Sequence, residues 1–210
     1  MKKLILACTC IILSYSCSNN TTSPNNANVK QLSILQDSLI NLLSAFQIEK
    51  DSSLLKQAAI VNEEMLVLDT TAVGKLRFYS MKAQLLSFEG KKLESFLAKD
   101  KGIPRDKTNI DRLTYDGLVY KLKLNTDSAN YYFALALDQC NRRLQKNSDD
   151  ATAFISMIGI YLYQGEKDRA AKAIDAALVK QPDSQILTDL KTNLDNMSGE
   201  VDRFFEEVKL

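Results

Sequence analysis

Residues 151–184 read ATAFISMIGIYLYQGEKDRAAKAIDAALVKQPDS. Phe154, Met157, Ile158 and Tyr161 come first, Gly165 follows, and Ala170, Ile174, Ala177, Leu178 and Pro182 complete the set. Small residues let two paired helices cross closely, large ones fill the gap between them, and a proline ends the second helix before the next element. This is a signature of packing and not of an active site.

The spacing resembles the tetratricopeptide (TPR) motif, W-x2-L-G-x2-Y, then A-x3-F, then P. Tyr161, Ala170 and Pro182 are identical to that consensus, Phe154 and Ile174 are conservative, and Ile158 stands where a small residue is usual, with Gly159 beside it. The resemblance implies an all-α chain, a right-handed α-solenoid of antiparallel helix pairs with a C-terminal capping helix. One repeat does not bury its own face, so about three or more must stack. Shifting back by the repeat length of about 34 residues brings Ala170, Ile174 and Leu178 onto Ala136, Cys140 and Leu144. Weaker matches fall at Tyr79, Ala83, Leu86 and Gly90, and in the segment ending at Leu68-Asp69. The expected helical domain is 29–210, with its clear repeat at 151–184, degenerate repeats at about 52–100 and 107–148, and a cap at 185–210.

Hydrophobic periodicity gives helices independently of that resemblance. Leu32, Leu35, Leu39, Leu42 and Phe46 recur at three- and four-residue steps, the stripe of an amphipathic helix. Asp51 offers an N-cap to a second helix that closes at Asp69-Thr70-Thr71. A third spans about 73–88 and ends at Gly90, and a short fourth over 92–99 is broken by Lys101-Gly102-Ile103-Pro104, the longest loop. Leu113 to Leu122 mark a fifth, and Thr126-Asp127-Ser128 start a sixth that ends at 147–150. Ile186 to Met197 form the expected cap, with a break at Ser198-Gly199 and then Val201, Phe204, Phe205 and Val208, a segment that either completes the cap or offers aromatics to a partner. Seven glycines, three prolines and no tryptophan suit long helices better than a turn-rich sheet, and 45% hydrophobic residues suffice for one compact body.

The amino terminus reads as an address. Met1-Lys2-Lys3 precedes an apolar run over 4–13, too short to stay as a membrane span, which points to a signal peptide over 1–16. The run stops at Ser14-Tyr15-Ser16-Cys17, which resembles a bacterial lipobox, so Cys17 is the expected lipidation site. Tyr15 departs from the small residue usual there, and Cys8 is a second formal candidate with a very short leader. Residues 17–28 are polar and uncharged and are expected to act as a tether. Ser18 after the cysteine resembles the sorting signal of outer-membrane lipoproteins, and leaders ending in Ser-Cys resemble those of Bacteroidetes. The expected place is the outer membrane, lipid-anchored and facing the periplasm; a plain secreted protein is the alternative.

Chemistry is constrained by what is missing. The chain has no histidine, hence no imidazole base, no histidine metal ligand and no Ser-His or Cys-His pair. Three of the four cysteines lie in the first seventeen residues, which leaves Cys140 alone in the body as an expected buried, inert thiol. The net charge of +1 falls to −1 when Lys2 and Lys3 leave with a leader, so no electrostatic field favours nucleic acid. Glu63-Glu64 and Asp149-Asp150 are adjacent acids whose side chains diverge, and Ser80 and Lys82 sit on different faces of a helix. No cofactor, metal or enzymatic activity is expected.

If the TPR resemblance holds, the concave groove is lined by Arg77, Ser80, Gln84 and Phe88 in one repeat and by Thr152, Ile155, Gly159, Leu162 and Tyr163 in the clear one. Ile155 and Gly159 occupy positions where chaperone-binding TPR domains carry the Lys and Asn that clamp a terminal carboxylate, so that ligand is disfavoured. The expected role is a membrane-anchored scaffold or adaptor that binds a cell-envelope protein or peptide in this groove. Capture of a peptide or glycan for a transporter is the alternative, and an enzyme with an unfamiliar site a third.

Overall fold

The computed structural model of the protein describes residues 26–210, and every regular element among them is an α-helix. The chain is all-α. The signal peptide, Cys17 and most of the tether lie outside the described residues. The first helix, α1, spans Asn26–Glu49, so helix begins three residues before the expected end of the tether.

The described chain divides into two compact units, 26–104 and 105–210, rather than the one body expected from composition. The division falls at Pro104, which cannot continue a helix and disfavours helical geometry in the residue before it.

In the amino-terminal unit, α1 pairs with α2 (Ser52–Leu68), and α3 (Ala72–Phe88) pairs with α4 (Lys92–Gly102), with α2 and α3 in contact between the pairs. Asp51 caps α2 by accepting from the Ser53 amide at 2.8 Å, as its position in the sequence requires. Leu32, Leu39 and Leu43 of α1 meet Leu55, Ala58 and Met65 of α2 and Phe78 and Leu85 of α3 in one core. Buried Asn62 pins α2 to α3 through its side-chain amide, which donates to the Phe78 carbonyl at 3.1 Å. Between α3 and α4 the crossing is close: the Ser95 hydroxyl donates to the Ala83 carbonyl at 2.6 Å, and a Cβ on Gly102 would lie 2.8 Å from that of Tyr79. This approach is why α4 runs to Gly102 instead of stopping at the expected Lys99.

The carboxy-terminal unit holds α5 (Ile110–Leu122), α6 (Thr126–Lys146), α7 (Ala151–Gln164), α8 (Lys167–Lys180) and α9 (Gln185–Glu207). Consecutive helices pair, and α7 also touches α5 and α9, so each of the other four helices packs against it. Its sequence explains that position: fourteen residues with no charge among them are apolar on nearly every side. Asp150 caps α7 by accepting from Ala153 and holds the Arg143 guanidinium with both oxygens at 2.9 and 3.1 Å, which ties the end of α6 to the start of α7. Gly165, at φ +80°, closes α7 in the left-handed conformation that a glycine adopts without strain.

Two expectations change here. The buried row of α6 that faces α5 begins at Ala129, Phe133 and Ala136, because Phe133 lies directly on Gly117. The spacing from Gly117 to Ala129 equals that from Ala83 to Ser95 and from Ile158 to Ala170. The sequence match of Ala136, Cys140 and Leu144 to Ala170, Ile174 and Leu178 is therefore displaced by two turns, since α6 is 21 residues long against 14 for α8. The second change is at Gly199, where the expected break is absent and α9 runs through unbroken.

The end of α5 stores strain that a substitution can release. Leu124 sits at φ +58° while 88% exposed, with the Asn125 amide donating to the Tyr120 carbonyl at 3.0 Å in the manner of a helix-terminating turn. A side chain in that region costs about 1–2 kcal/mol, and glycine does not pay it. Leu124→Gly is expected to raise stability by up to about 1 kcal/mol after the glycine's greater freedom in the unfolded chain is subtracted. A urea midpoint that falls instead would show that the exposed leucine contributes packing.

Candidate functional site

The groove residues read from the sequence divide between the two units. On α3, Arg77, Ser80, Gln84 and Phe88 are all half-buried. The Arg77 guanidinium lies 5.6 Å from the centre of the Phe78 ring and faces the Gln36 side-chain amide of α1. Burial pulls its pKa below the usual arginine value, and the nearby Asp69 charge opposes that shift. Phe88 packs against the amino-terminal core, its ring centre 5.9 Å from that of Phe46. Its ring is tied to that core, which corrects the expectation of a free groove aromatic.

On α7, Thr152, Ile155, Gly159 and Tyr163 are half-exposed and lie along one side of the helix. Leu162 is not part of that face: it is 3% exposed. The expectation that it lines a groove fails because α7 is the central helix of its unit and has no wide free surface. The absence of charge in α7 was the signal for this in the sequence. Gly159 is the opening in the face, since a Cβ added there would meet only the edge of the Tyr163 ring, at 3.9 Å.

Three features were not anticipated from the sequence. Lys121, at the end of α5, donates to the Tyr163 carbonyl at the end of α7, and its ammonium lies 4.3 Å from the centre of the Phe205 ring. Burial lowers its pKa, and Asp202 acts in the opposite direction. Tyr120 and Tyr132 stack at 5.3 Å between α5 and α6, with Tyr131, 61% exposed, edge-on to Tyr132. The adjacent tyrosines of α6 were visible in the sequence, whereas their stacking on Tyr120 needed the hairpin. Arg112 is buried, with its guanidinium 5.3 Å from the Tyr115 ring and 3.3 Å from Asp116.

The groups tested for catalysis have structural employment. Lys82 pairs with Glu63 at 2.6 Å, and Asp150 serves as cap and ion-pair partner. Among the described residues no group of three His, Cys, Asp or Glu side chains is placed to hold a metal ion, and no helix is long and apolar enough to cross a membrane.

Cys140 is fully buried, and burial pushes its thiol from 9.0 up to about 12. A disulfide reagent at pH 8 is expected to leave it unmodified in the folded protein and to label it on unfolding. The thiol ionises first in the unfolded chain, so its contribution to stability is complete below about pH 9 and is lost as the pH rises towards 12. Rapid native labelling at pH 8 would contradict this placement.

No family model, curated protein or solved structure matches the chain.

Proposed function

We propose that this protein is a lipid-anchored adaptor of the cell envelope, a TPR-type array of helical hairpins that binds an envelope protein or peptide, with the half-exposed side of α7 as its contact surface. The observation that carries this reading is the opening at Gly159. A helix packed on by four others keeps one strip of Thr152, Ile155 and Tyr163 in reach of solvent, and the residue at its centre has no side chain. A strip of that kind accepts an extended segment or a helix laid along it. The recurrence of small residues at the crossings, Ala83 with Ser95, Gly117 with Ala129 and Ile158 with Ala170, supports the TPR-type reading of the hairpins. The leader and Cys17 support the anchor.

The test is Gly159→Arg, which adds a long charged side chain over the strip without disturbing the packing beneath. Affinity capture from detergent-solubilised native membranes should recover a reproducible envelope protein with the wild-type chain and lose it with the variant at unchanged far-UV circular dichroism. Equal recovery would move the site away from α7. The anchor is tested separately by metabolic labelling with a fatty acid, which Cys17→Ala should abolish.

The stacked tyrosines on α5 and α6 support a second reading, ligand capture, because flat aromatic faces suit sugar rings. Saturable quenching of tyrosine emission by oligosaccharides would favour it over the adaptor.

A further inference from the structure

The last third of α9 does more than the first two thirds require. Leu187 and Leu194, both buried, lie in the portion up to residue 198, which is long enough to cover the α7–α8 pair. Past it stands Gly199, exposed, where an added Cβ would meet nothing within 4 Å. The helix continues with Asp202, Arg203, Glu206 and Glu207 outward, Phe204 and Phe205 half-buried and edge-to-face at 5.3 Å, and Val208 1% exposed.

This terminal segment does not continue along α8. It reaches the end of α5, where the Phe205 ring lies beneath the Lys121 ammonium, and Lys121 in turn holds the carbonyl of Tyr163 at the end of α7. Asp202, one turn before Phe205, supplies the charge that offsets the burial of Lys121. An aromatic face, an aliphatic side chain and a carboxylate thus meet a cation at the junction of two helix ends, all from nine residues that follow a glycine free to swivel.

We infer that residues 199–208 are a built-in occupant of the α5–α7 end, a short amphipathic strap that covers the lower part of the α7 face and is displaced by a partner helix of the same chemistry. The partner this fits presents a carboxylate, an aromatic residue about one turn later and a branched aliphatic residue after that. The strap is a separable unit because its hold is confined to Phe204, Phe205 and Val208, while its other side chains face water and glycine at 199 lowers the cost of unwinding. The inference stands on the geometry of the carboxy-terminal unit and does not need the envelope or adaptor reading.

Two measurements on the full chain test it. Hydrogen exchange should show the amides of 200–208 exchanging at least about tenfold faster than those of 186–197, as expected of a segment that opens without the rest. Protection equal to that of 186–197 would make the segment part of the core and overturn the inference. In the second, a fluorescent peptide of residues 198–210 is titrated into wild type and into Phe205→Ser/Val208→Ser, which detaches the strap in cis. The variant should bind the peptide at least about tenfold more tightly than wild type, and adding Lys121→Met to the variant should remove that gain. A folded variant that binds no better than wild type, or one whose helical circular dichroism collapses, would equally overturn it, the first by showing no vacated site and the second by showing that the fold depends on the segment.

Discussion

Phe133→Ala is expected to destabilise the carboxy-terminal unit by about 3–5 kcal/mol, the range for truncating a fully buried phenylalanine. Phe133 is 1% exposed, and it fills the crossing of α5 and α6, where Gly117 offers a flat place for its ring. Loss of the ring leaves a cavity that neighbouring helices close only in part, because Ala129 and Ala136 on either side are too short to reach into it. Urea unfolding followed by far-UV circular dichroism would report the change as a lower midpoint. A cost below about 1.5 kcal/mol would mean that α5 and α6 collapse together without it.

Gly117→Ala carries the second large effect and has a built-in control. A Cβ at 117 would stand 2.6 Å from the Phe133 ring, and the ring has nowhere to turn. Overpacking of this kind costs about 1–3 kcal/mol, against a gain of up to about 1 kcal/mol from replacing a helical glycine by alanine. The expected net is a loss of about 1–2 kcal/mol. At Gly159 the same substitution meets only the Tyr163 edge at 3.9 Å, so the helix gain stands alone and the protein should become more stable by up to about 1 kcal/mol. Opposite signs for one substitution on two helices of the same unit is the result to look for. Combining Gly117→Ala with Phe133→Leu should restore part of the loss, since the smaller side chain vacates the space the new methyl needs. Strict additivity of the two would place the strain elsewhere.

Much of the architecture was legible because it rests on local rules. Leu32, Leu39 and Leu43 form the buried stripe of α1 that their spacing predicts, Asp51 caps α2, and Gly165 ends α7 in the left-handed conformation. Cys140 lies in the core as its place in an apolar row suggested. The candidate site was read less well. Thr152, Ile155 and Tyr163 retain partial exposure, but Leu162 is buried and Phe88 packs on its own unit's core. Assigning them to a groove required knowing how many neighbours each helix has, and helical periodicity carries only the direction in which a side chain points.

By itself, then, the sequence determined the all-helical class, the order of the hairpins and most of their ends, because hydrogen bonding within a helix, capping and apolar periodicity involve residues a few positions apart. Tertiary structure alone decided the register of α6 against α5, the central place of α7 and the path of α9 past Gly199 to Lys121. Each of these depends on which surfaces meet across the chain. A glycine at 117 takes its meaning from a phenylalanine on the next helix, and a lysine at 121 from an aromatic ring at 205.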